Sequence, residues 1–180
     1  IAKAHHTLSQ FLQSKRQDNL WAFHSDRLIT STDSALILQG LKNPDALEAL
    51  ELFADGEGGY YPQLWSREKQ PGKMVYDDEC AHWCQADYGT TCLVRALQNE
   101  AGVPTKTSTA YLAAGMENRS GLYFANPYLV DWALACAISK DKSAELSRQK
   151  LLSEILVSMN EDYSFGLYDV ALSTSLAILS

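Results

Sequence analysis

The chain of 180 residues has no uninterrupted apolar stretch long enough to cross a bilayer, and its first residues lack the pattern of a signal peptide. Cationic residues are in deficit, 15 Lys and Arg against 22 Asp and Glu, for a net charge of -7. A protein that grips nucleic acid through its phosphates needs the opposite balance, so no nucleic-acid partner is expected. Only four cysteines occur, at 80, 84, 92 and 136, mostly inside apolar helical patterns where Cys serves as a small core residue. A disulfide scaffold is therefore not expected, and a reducing cytoplasm is the expected setting. Pro and Gly are too sparse, and apolar residues too frequent at 46%, for a collagen-like or disordered chain. One globular domain of this length can bury a single core. The start, Ile1-Ala2-Lys3, has no initiator Met, which is what a domain cut from a longer chain would show.

Period-two alternation is also nearly missing, so strands are not expected. What recurs is an order of parts: an amphipathic helix, a glycine- and aromatic-rich loop, then a more apolar helix. The first copy spans about 1–41, with Leu8, Phe11 and Leu12 as the outer stripe. Trp21 and Phe23 lie in its loop, and Ser34-Ala35-Leu36-Ile37-Leu38 in its second helix. The second spans about 42–100: Asn43-Pro44 as cap and first helical residue, Leu47, Leu50 and Phe53, then Gly58-Gly59-Tyr60-Tyr61, then Thr90-Thr91-Cys92-Leu93-Val94. The third (about 101–140) passes through Gly121-Leu122-Tyr123-Phe124 to Asn126-Pro127 and Asp131-Trp132-Ala133. The fourth (about 141–180) runs from Leu151, Leu152, Ile155 and Leu156 through Tyr163, Phe165-Gly166 and Tyr168 to Ser173–Leu179. Aligned this way, Ala35, Cys92, Ala133 and Ser175 share one position, where a small side chain lets neighbouring helices approach closely. The pattern predicts an all-α fold of about eight helices in four hairpins, with amphipathic outer helices and with helices two, six and eight apolar on most faces and so buried inside a double layer.

Gln17-Asp18-Asn19-Leu20-Trp21, Gly58-Gly59-Tyr60 and Glu161-Asp162-Tyr163-Ser164-Phe165-Gly166 are similar to the loop repeats of the α/α-toroid family. That family includes squalene and oxidosqualene cyclases, class II terpene cyclases and protein prenyltransferase β subunits. The resemblance covers essentially the whole chain and implies an α/α-toroid arrangement of the four hairpins, as a partial or open ring. Complete toroids of the family use more hairpins, so the resemblance implies an open arc with an apolar edge, a fragment of a larger cyclase, or a ring completed by a second copy or another chain.

For chemistry, the resemblance points to Asp87-Tyr88-Gly89-Thr90-Thr91-Cys92, which occupies the place of the family's D-x-D-D-T-A motif. Asp87 would be the acid that starts polyene cyclisation, with Asp77, Asp78 or Glu79 as its hydrogen-bonding partner, an isomerase or lyase reaction needing no cofactor. Trp83, Tyr88 and Trp132 would face the cationic intermediates, Tyr128 would join Trp132 in the cavity wall, and Trp21 and Tyr60 would contribute from the loops. The expected ligand is an isoprenoid or similar lipid, with peripheral membrane contact. Alternatively, Asp87 is a helix N-cap, and the loop aromatics wedge outer helices against inner ones. Asp78-Glu79-Cys80 is similar to the D-x-C pair that binds zinc in prenyltransferase β subunits. Yet no His follows His82, and on a helix His82 would face away from Cys80 and Cys84, so no metal is expected. His24, and Asp33 at the start of the first inner helix, read as ordinary loop and first-turn residues. A reading from another class fits the same architecture. It is a non-catalytic helical-repeat interaction module, with the loop from Pro62 to Gln85 supplying specificity.

Overall fold

The computed structural model describes residues 2–17, 19–24, 29–41, 46–63 and 85–180. Eight α-helices occur among them: α1 (Ala2–Ser14), α2 (Ser31–Leu41), α3 (Leu47–Leu50), α4 (Tyr88–Ala101), α5 (Thr109–Gly115), α6 (Pro127–Ile138), α7 (Glu145–Val157) and α8 (Val170–Leu179). The fold is all-α in character. One two-residue antiparallel ladder, Trp21–Ala22 against Ile29–Thr30, departs from the expected absence of strands, and it ties the first aromatic loop to the start of α2.

The even-numbered helices form a row. α2 packs on α4, α4 on α6 and α6 on α8, while α3 touches α2 and α4, α5 touches α4, and α7 touches α6. Composition sets the division. α4 and α6 place Cys92, Leu93, Val94, Ala133, Leu134, Ala137 and Ile138 in the core, whereas α7 buries only Leu151 and Ile155.

Local chemistry sets the ends of the helices. Asn126 caps α6, its side chain accepting from the Tyr128 N–H with Pro127 just inside. Ser108 caps α5 through the Tyr111 N–H. α4 stops at Gly102, whose left-handed backbone (φ 70°) lets its own N–H and that of Val103 close onto the carbonyls of Asn99 and Gln98. In the second aromatic loop, Asp55 Oδ1 accepts from the N–H groups of Glu57, Gly58 and Gly59 at 2.7, 3.0 and 2.9 Å, which coils the glycines into a tight turn.

The aromatic loops are held to the row by one repeated device. The N–H of Trp21 donates to Ser34 Oγ at 2.9 Å, that of Tyr60 to Thr91 Oγ1 at 2.9 Å, and that of Phe165 to Thr174 Oγ1 at 3.0 Å. Ser34, Thr91 and Thr174 each directly precede the shared small position of their helix. In the third copy that place is taken by Trp132, and its loop is anchored differently, as described below.

The small position behaves as expected in three helices and differently in the fourth. Ala35, Cys92 and Ala133 are completely buried. Ser175 is exposed, and so are Leu172, Ile178 and Leu179 around it. The expectation that the last inner helix is buried on most faces is thus not met. Nothing among the described residues packs on its outward side as α8 packs on α6.

Candidate functional site

Asp87 caps α4, its Oδ2 accepting from the Thr90 N–H at 2.8 Å. Its other oxygen, Oδ1, accepts from the Leu122 N–H at 2.6 Å. That bond anchors the third aromatic loop, together with a bond from the Gly89 N–H to the Ser120 carbonyl at 3.0 Å. The carboxyl is buried, and both of its oxygens are turned towards backbone donors. Geometrically, Asp87 joins two repeats.

Each described aromatic side chain expected in the wall has partners of its own. Trp21 is buried beside α1, its indole N–H donating to the Leu12 carbonyl at 2.7 Å. Tyr60 is completely buried, its hydroxyl donating to Glu51 Oε1 at 2.8 Å and accepting from Gln98 Nε2 at 3.0 Å. Burial, then the Glu51 carboxylate, push that phenol well above its ordinary range. Tyr88 follows Asp87 at the start of α4, half-buried, with its hydroxyl on the Leu112 carbonyl at 2.8 Å. Its ring lies over Gly115, where a Cβ would come within 2.5 Å of it, and burial raises this phenol too. Tyr128 is buried on α6, edge-on to Phe165 with ring centroids 5.8 Å apart, and its hydroxyl meets Ser158 Oγ at 3.0 Å. Trp132 is half-buried against the core. These side chains wedge loops and outer helices against the row. Asp77, Asp78, Glu79, Cys80, His82, Trp83 and Cys84 lie outside the described residues, as does most of the Pro62–Gln85 loop.

Two polar knots brace the same row. Arg95, buried in α4, donates to the carbonyls of Thr107 and Ala137, to Thr109 Oγ1 and to Asp141 Oδ2, the last at 2.8 Å. Hydrogen bonds from Ser143 and Thr109, with Arg95 nearby, hold the Asp141 carboxyl well below the usual carboxylate range. Arg119 bridges Asp131 of α6 and Glu154 of α7, each at 2.5 Å. Burial nevertheless raises Asp131, against the opposing pull of Arg119.

A concave feature lies elsewhere, and sequence patterning did not point to it. The C-terminal turns of α2, α4, α6 and α8 border one depression of about 330 Å³, lined by Gln39, Ala96, Glu100, Cys136, Lys140 and Leu179 among others. Among the described residues, none of the aromatics or acids expected from the sequence lines it. The exposed stripe on α8 was equally unmarked: Leu172, Ser175 and Leu179 have the same spacing as buried residues of α4 and α6. The one available signal was the recurring Ser or Thr before the small position, at Ser34, Thr91 and Thr174.

No family model, no curated protein and no solved structure matches this chain. Among the described residues, no helix is long and apolar enough to cross a membrane.

Proposed function

We propose that this chain is a non-catalytic helical-repeat interaction module, an arc of an α/α-toroid-like row that works by association at its open edge. One observation carries the reading. Of the eighteen large hydrophobic side chains exposed among the described residues, twelve lie between Leu146 and Leu179, on and around the last hairpin. Exposed apolar side chains concentrated on one hairpin form a surface suited to association with another structural element. The bonding of Asp87 supports the same reading, since a carboxylate occupied by two backbone donors is a structural cap.

Native mass spectrometry of freshly purified protein, before and after gentle activation, tests this. Assembly with polypeptide and no released small molecule is expected. A monomer that releases an apolar ligand of isoprenoid mass would overturn the reading in favour of a terpene-cyclase-like lipid binder. That second reading has one observation in its favour. The depression shared by the inner helices has an apolar floor of Ala96, Ala135 and Cys136 and the volume of a small lipid.

A further inference from the structure

We draw no further inference here: the strongest candidate, the depression bordered by the C-terminal turns of α2, α4, α6 and α8, is lined by Glu100 and Lys140 alike and so favours no one ligand chemistry, and nothing in the structure shows what covers it.

Discussion

The N–H of Trp21 rests on the hydroxyl of Ser34, and the same bond joins Tyr60 to Thr91 and Phe165 to Thr174. Removing the hydroxyl leaves a loop N–H without its acceptor, at a cost of about 1–3 kcal/mol where water cannot replace it. Ser34→Ala and Thr91→Val should therefore lower unfolding free energy by about that much, since both sites are buried. Thr174→Val should cost less, because Thr174 is only half-buried. Urea unfolding of the three variants under identical conditions checks the order.

Asp87 offers a second test, one that separates a cap from an acid. Asp87→Ala removes the acceptors of both Thr90 N–H and Leu122 N–H and should cost about 2 kcal/mol. Asp87→Asn keeps one carbonyl oxygen and should fall between Ala and the wild type. Equal stability of all three would show that the bonds contribute nothing.

Asp141 predicts a pH dependence with a definite sign. Its folded-state pKa lies below the ordinary carboxylate value, so its contribution is complete above that value, about 3.9, and is lost as pH falls towards the folded pKa. Asp141→Asn should remove this component and leave the buried Arg95 without its ion pair, for a loss of about 2 kcal/mol at neutral pH. Below pH 4 the variant should lose stability less steeply than the wild type. Thermal unfolding across the acid range measures both slopes.

Gly59 lies where a side chain has no room. A Cβ there would stand 2.5 Å from Asp55 Oδ2 and from the Tyr111 hydroxyl, and 2.6 Å from Ala86 Cβ. Gly59→Ala should cost about 1–3 kcal/mol through overpacking, whereas Gly40→Ala, in open space, should be neutral or slightly stabilising through helix propensity. Comparing the two denaturation midpoints isolates the crowding.

Cys92 should be inert in the folded protein. It is completely buried, and burial pushes its thiol well above the ordinary range. Brief iodoacetamide treatment followed by peptide mapping should find Cys92 unmodified in native protein and modified after denaturation. Modification of native Cys92 would contradict its placement between inner helices.

Periodicity and capping chemistry act within a few residues, and there the amino-acid sequence was decisive. It determined the all-α class, the alternation of amphipathic and apolar helices, the Asn126-Pro127 start of α6 and the burial of Ala35, Cys92 and Ala133. Asp87 was legible as a cap because a carboxylate before Tyr88-Gly89-Thr90 finds an N–H three residues on. Its second bond, to Leu122, was not legible, because it joins residues 35 apart and depends on where the third loop lands. Nor could patterning tell α8 from α6. Both carry the same spacing of small and apolar residues, and only packing decides that, among the described residues, Ala133 is buried while Ser175 is exposed. The partners of Trp21, Tyr60 and Tyr128 and the depression at the C-terminal turns have the same origin. A side chain's type follows from its own codon, but its company is decided by which helices the finished row brings beside it.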